Sequence, residues 1–167
     1  MNVALLWPAE MVDAKEISMS EVSVQTLSPE RVVSAVLTQL NHGQIADATA
    51  SFAANFRFKD HGIGLEFSDK QRLTEFFQKT RELYPDYSLQ TDQLFVIGDH
   101  VITQWTLHVT ITEPFYAGLT TRIPISIAGA SIIRTGNGKI TEWADYYAGS
   151  TARRTALAAH FTEWIEY

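Results

Sequence analysis

Apolar residues recur at helical spacing over Val32, Val33, Val36, Leu37 and Leu40, the stripe that a core-facing helix presents. Ser28-Pro29-Glu30-Arg31 supplies its start, with Ser28 as N-cap and Pro29 at the first helical position. Asn41-His42-Gly43 supplies its stop. Ile45 to about Phe52 predicts a second, shorter helix. The period then shifts to two over Phe56-Arg57-Phe58-Lys59-Asp60, as in a half-buried strand. His61-Gly62-Ile63-Gly64 breaks that strand, and Glu66-Phe67 begins a short return. Ser68-Asp69-Lys70-Gln71 caps a third helix that carries Leu73, Phe76, Phe77 and Leu83 and ends at Tyr84-Pro85-Asp86.

From there the chain reads mostly as β, with strands predicted over about 87–97, 100–113, 121–134 and 139–147. Gly98-Asp99, Phe115 to Thr120, and Gly136-Asn137-Gly138 join them. In the second of these strands Val101, Thr103, Trp105, Leu107, Val109 and Ile111 share one face, and Gln104, Thr106, His108 and Thr110 share the other. Leu157, Phe161, Trp164 and Ile165 predict an amphipathic C-terminal helix. Helices followed by a strand meander give an α+β class. A curved antiparallel (mixed) sheet wrapped over three helices forms a cone with one open end, and such mouths bind ligands.

Composition narrows the reading. At 167 residues, 46% hydrophobic and 19% charged, the chain has the length and core of a single domain. We place its start near Ser28 and its end at residue 167. Residues 1–27, which hold Met1, Met11 and Met19 as three starts, are expected to form a leader, flexible or packed on a partner. The net charge of -6 and pI near 5.3 argue against nucleic acid and anionic membranes as partners. Val3-Ala4-Leu5-Leu6-Trp7 is short and lacks a positive flank, unlike a secretory signal. The absence of cysteine excludes thiolate chemistry and disulfides and suits the cytoplasm.

Candidate chemistry centres on the last strand. Thr141, Trp143, Asp145 and Tyr147 fall on one side of it, which sets a carboxylate between two large aromatics. An acid in apolar company is costly to ionise. With Asp60 it makes a pair suited to general acid–base work, one acid neutral beside one ionised base. His61 adjoins Asp60 and is the histidine closest to such a site. Trp105, Trp143, Tyr147, Phe58, Leu107 and Tyr116 are expected to line a pocket for a small hydrophobic ligand. His42, His61, His100, His108 and His160 lack metal-ligand spacing, so no metal and no cofactor is expected. Arg153-Arg154 reads as a solvated helix face. The polar stripe Gln104, Thr106, His108, Thr110 is a surface on which a second copy of the sheet would pack.

Leu40-Asn41-x-Gly43, Phe56-x-Phe58-x-Asp60, Tyr84-Pro85-Asp86, Gly98-Asp99-x-Val101 and Gly138-Lys139-Ile140-x-Glu142-Trp143 occur in an order and spacing that resemble the nuclear transport factor 2-like superfamily. Its members include SnoaL-like polyketide cyclases, ketosteroid isomerases and limonene epoxide hydrolases. The resemblance covers about Ser28 to Tyr147 and implies a cystatin-like roll that commonly dimerises sheet to sheet. Trp143-Ala144-Asp145-Tyr146-Tyr147 is similar to the last strand of the epoxide hydrolases, where the Asp activates water. Their Arg-x-Asp pair matches Trp105 and Leu107 here, and their Tyr-x-Asn matches Phe58 and Asp60. Asp60-His61-Gly62-Ile63-Gly64 resembles the segment in which ketosteroid isomerases carry a proton-shuttling Asp, whereas their oxyanion donors match Val36 and Ala130. A His that cyclases often place in the long hairpin matches Ile111. The resemblance therefore implies isomerisation or cyclisation by proton transfer ahead of hydrolysis. A non-catalytic binding or dimerisation module is the alternative.

Overall fold

Among the described residues the elements run α1 (Pro29–Asn41), α2 (Ile45–Ala50), β1 (Phe52–Asp60), β2 (Leu65–Phe67), α3 (Lys70–Leu83), β3 (Ser88–Ile97), β4 (His100–Ile111), β5 (Ile123–Gly136) and β6 (Lys139–Tyr147). They are seen in a computed structural model that describes residues 27–111 and 123–148. All but the last residue of the expected leader, the Phe115 to Thr120 connection and the expected C-terminal helix lie outside those residues. No helix among the described residues is long and apolar enough to cross a membrane.

Helix starts follow the capping chemistry. Ser28 Oγ accepts from the Arg31 amide at 3.4 Å, and Asp69 Oδ1 accepts from the Arg72 amide at 2.8 Å. Each satisfies a donor that the first helical turn cannot. The five apolar residues of the α1 stripe are all buried, each worth about 1.5–3 kcal/mol relative to exposure. Asn41 closes α1 onto the sheet. Its amide accepts from Leu89 N and donates to Leu89 O, both at 2.7 Å, so one side chain pairs both backbone groups of a β3 residue.

The helix predicted to reach about Phe52 stops at Ala50, and β1 begins at Phe52 rather than Phe56. Pairing decides this. Ile140 N donates to Ser51 O at 2.9 Å, Phe52 pairs with Ile140, and the Phe52 ring stacks on Trp143 with centroids 6.0 Å apart. The register slips between Phe52 and Arg57, which breaks the alternation that sequence reading relies on.

The six strands form one sheet in the order β2-β1-β6-β5-β4-β3. Every neighbour is antiparallel except β1 and β6, which run parallel. Register irregularities place extra residues in β1 between Phe52 and Arg57, at Asp92 in β3 and at Thr141 in β6, and bend those strands, as bulges do. The β5–β6 turn is a two-residue connection in which Asn137 (φ 51°) and Gly138 (φ 72°) both take positive φ, the Asn-Gly preference of a tight hairpin. Gly136 already belongs to β5. Helix α1 lies across β3 to β6, and α3 lies against β1 and β2. The main core fills the space between, from Val33 and Leu40 through Phe58 and Leu73 to Ile133 and Trp143. A smaller apolar cluster of Val109, Ile125 and Ile127 stands apart from it.

Candidate functional site

A cavity opens between these two clusters. Helix residues Leu40, Phe76, Phe77 and Arg81, the Tyr84–Tyr87 turn and the inward faces of β1, β4, β5 and β6 line it. It offers the centre of a water-sized sphere about 110 Å³. Its walls are overwhelmingly apolar and aromatic, the setting in which a few polar groups decide ligand orientation.

Two of those polar groups are acids. Asp60 and Asp145 are register partners across the parallel β1–β6 pair, so both side chains leave the sheet on the same face, with backbones about 4.8 Å apart. Asp145 Oδ1 accepts from Ser131 Oγ at 2.5 Å and from Trp143 Nε1 at 2.6 Å. Ser131 Oγ in turn accepts from Trp105 Nε1 at 2.8 Å. Asp145 Oδ2 has no hydrogen-bond partner among the described residues. Burial, and next the charge of Asp60, push the Asp145 carboxyl up to about 7; the donors Ser131 and Trp143 act in the opposite sense.

Asp60 is held differently. Its Oδ1 accepts from the amides of Gly62 (2.8 Å) and Ile63 (3.1 Å), an Asx-type turn. Its Oδ2 accepts from Tyr147 Oη at 3.2 Å. Burial raises its pKa, and the donors Ile63, Tyr147 and Gly62 and the nearby His61 offset part of that rise. With three donors against two, and both oxygens engaged, Asp60 is the better-stabilised anion of the pair.

Two glycines make room for this arrangement. A Cβ at Gly62 would stand 2.0 Å from Tyr147 Cζ, and one at Gly129 would stand 2.4 Å from Trp105 Cη2. The missing side chains let the Tyr147 and Trp105 rings lie flat over the backbone, and there Oη reaches Asp60 and Nε1 reaches Ser131.

Of the residues expected at the site, Asp145, Asp60, Trp105, Trp143, Tyr147, Phe58 and Leu107 all line this one cavity. Tyr116 lies outside the described residues. His61 is adjacent to Asp60 in sequence but not in the cavity. Its amide extends the β1–β6 ladder by donating to Asp145 O at 2.9 Å. Alternation therefore turns its ring to the other face, where it stacks on exposed Tyr146 at 4.4 Å. Thr141 likewise stays out, donating to Arg134 O at 3.2 Å.

Three side chains that line the cavity were not anticipated. Ser131 was detectable as the one hydroxyl among the inward residues Ile125, Ile127, Gly129, Ser131 and Ile133. Arg81 is the only cation lining the cavity among the described residues. Tyr87 sits at the head of β3, under the Arg81 guanidinium at 5.5 Å, and had no sequence signal beyond its aromatic character. No cluster of three or more metal-ligating side chains occurs among the described residues.

The model of the SnoaL-like domain family matches residues 33–143. No curated protein matches the chain. Among solved structures, a protein with a ketosteroid isomerase-like fold from Catenulispora acidiphila, in complex with trimethylamine, is 23% identical. It has a TM-score of 0.63 and covers 75% of this chain and 91% of its own. An NTF2-like protein from Burkholderia thailandensis is 18% identical, with TM-score 0.63 and coverages of 80% and 98%. An M. tuberculosis LEH-like epoxide hydrolase is 15% identical, with TM-score 0.59 and coverages of 72% and 78%. These likenesses are likenesses of fold.

Proposed function

Since the chain belongs to the SnoaL-like domain family, we propose that its cavity is the active site of a cofactor-independent isomerase or cyclase. It acts by proton transfer on a small hydrophobic or polycyclic molecule. The observation that carries this reading is Asp145 Oδ2, a carboxylate oxygen without a partner among the described residues, in an apolar, aromatic-walled cavity, on a group pushed up to about 7. A base whose pKa lies near the working pH both holds enough of its ionised form and returns the proton readily. In the ionised state Oδ2 takes a proton from the substrate; as the acid it delivers that proton to a second atom. Asp60 supports the step through its charge, which keeps the Asp145 pKa high, and through its hold on Tyr147.

The test is a thermal-shift screen of polyketide, steroid and terpene-epoxide compounds, followed by turnover of each hit by wild type and Asp145→Asn. Turnover lost in the variant is the expected result. Turnover that survives the substitution overturns the assignment.

One observation favours a second, binding-only reading. Trp105, Trp143 and Tyr147 around a carboxylate also make a seat for a small organic cation, and a structural neighbour is in complex with trimethylamine. Trimethylammonium that binds wild type but not Asp145→Asn, with no compound of the screen turned over, supports that reading.

The proposal includes a homodimer joined through the outer sheet face. Register aligns Phe95, Ile102, Ile132 and Ala144 in one row across β3 to β6. Phe95 is 50% and Ile132 43% exposed, so this row, rather than the polar stripe of β4, is the apolar part of that face.

A further inference from the structure

We propose that Arg81 seats a carboxylate group of the ligand, and that the molecule this cavity takes is therefore an amphipathic acid, an apolar ring or chain that ends in a carboxylate. This rests on the reading above, in which the cavity is the substrate site, and names its substrate class. The charges on the walls lead to it. Arg81 is the only cation lining the cavity among the described residues. Its guanidinium stays charged at any physiological pH and is half-buried. A charge so placed is costly without a counter-charge, yet Arg81 forms no ion pair among the described residues.

The side chain is held in place. It belongs to the last turn of α3, where Nη1 donates to Tyr87 O at 2.7 Å and Cζ stands 5.5 Å from the Tyr87 ring centroid. That hydrogen bond uses a single N–H of the guanidinium fork. Nε and Nη2 have no hydrogen-bond partner among the described residues. They run beside Gly43, where even an added Cβ would stand 3.9 Å and 4.0 Å from them. Two parallel N–H bonds on one edge of a planar fork match the two oxygens of a carboxylate. A fork immobilised before the ligand arrives loses little freedom on binding it.

The two acids set the other limit. Asp60 and Asp145 come from the β1–β6 pair, whereas Arg81 is tied to the head of β3, at the far edge of the strand order. Tyr87 lies where both fields meet: burial, and next the charge of Asp145, raise its phenol, and Arg81 lowers it. The cavity therefore has a cationic end and an acidic end, with aromatic walls between them. A ligand whose carboxylate sits on Arg81 directs its apolar body toward Asp145. A phosphate would bring further negative charge into a space that already holds Asp60, at a cost in repulsion, so the monoanion is favoured.

The probes are 2-naphthoate, trans-cinnamate and cyclohexanecarboxylate, each paired with its primary amide. Their binding to the full chain is measured by titration calorimetry for wild type, Arg81→Gln and Arg81→Lys. Wild type is expected to bind an acid about tenfold or more tightly than its amide. In Arg81→Gln that ratio should fall to one or below while amide affinity holds. Arg81→Lys keeps the charge and loses the fork, so its ratio should lie between. Taking the ratio within each protein cancels any loss of folded chain or change of cavity shape, since both members of a pair suffer it alike. Amides that bind wild type as tightly as the acids, or a ratio that Arg81→Gln leaves unchanged, overturn Arg81 as the seat and leave the proton-transfer reading standing. Absence of binding by every acid overturns the proposal as well. Tighter binding of 2-naphthyl phosphate than of 2-naphthoate overturns the carboxylate assignment. Acids that bind through Arg81 but whose turnover survives Asp145→Asn overturn the proton-transfer reading alone.

Discussion

Asp145 presents two unlike oxygens, one gripped by Ser131 and Trp143 and one without a partner among the described residues, and substitutions around it should move its titration in opposite directions. Activity that needs the ionised form rises with pH, so kcat/KM should climb through a midpoint at about 7. Asp60→Asn removes a negative charge that raises the Asp145 pKa, so the midpoint should fall. Ser131→Ala removes a donor that lowers it, so the midpoint should rise. A pH–rate series on the three proteins checks both signs; parallel shifts would exclude this electrostatic account. Stability follows the same group. Its folded pKa of about 7 exceeds the ordinary 3.8, so its contribution is complete below about 4 and is lost as pH rises through about 7. Asp145→Asn does not titrate, so its Tm relative to wild type should increase between pH 4 and 7 and then level off, by about 2–4 °C for each kcal/mol. The acids were legible in the sequence because a carboxylate at an inward strand position between aromatics is conspicuous. Tyr87 was not, since a tyrosine is ordinary at a strand start, and Ser131, detectable as an inward hydroxyl, is set opposite Asp145 only by the β5–β6 register.

Strands and turns carry the next level, and here the turn chemistry was readable while the irregular strand was not. Helix caps at Ser28 and Asp69, the Asn137-Gly138 turn and the alternation of β4 all follow local rules. Strand β1 did not, because its register slip leaves Phe52 and Phe56 four residues apart on the buried side. The turn after β1 shows how tightly element and site are joined. Gly62→Ala introduces a Cβ where Tyr147 Cζ now lies 2.0 Å away, so the ring must leave and its bond to Asp60 is lost. A cost of about 1–3 kcal/mol is expected, read by urea unfolding. The loss should be less than additive with Tyr147→Phe, since both remove the same hydrogen bond. Full additivity would mean that the ring stays in place.

For the molecule as a whole, class and element order were within reach of pattern reading, but the joining of β1 to β6 was not, because no local signal links segments so far apart in sequence. The outer apolar row was hidden for the same reason, as Phe95, Ile102, Ile132 and Ala144 meet only through register. If that row is the dimer face, sedimentation velocity should find wild type as a dimer and Ile132→Lys as a monomer with unchanged circular dichroism. A monomeric wild type would remove the interface. The parallel β1–β6 joint also has a kinetic consequence. Asp60 and Tyr147, 87 residues apart, meet only when the last strand closes beside the first, and loop closure on that scale slows folding. That closing step must bring two carboxylates together, so refolding should be faster at pH 5.5 than at pH 8 in stopped-flow measurements. Asp145→Asn should abolish the difference. The residues assigned to the chemistry would thus also set the rate at which the chain reaches its active form.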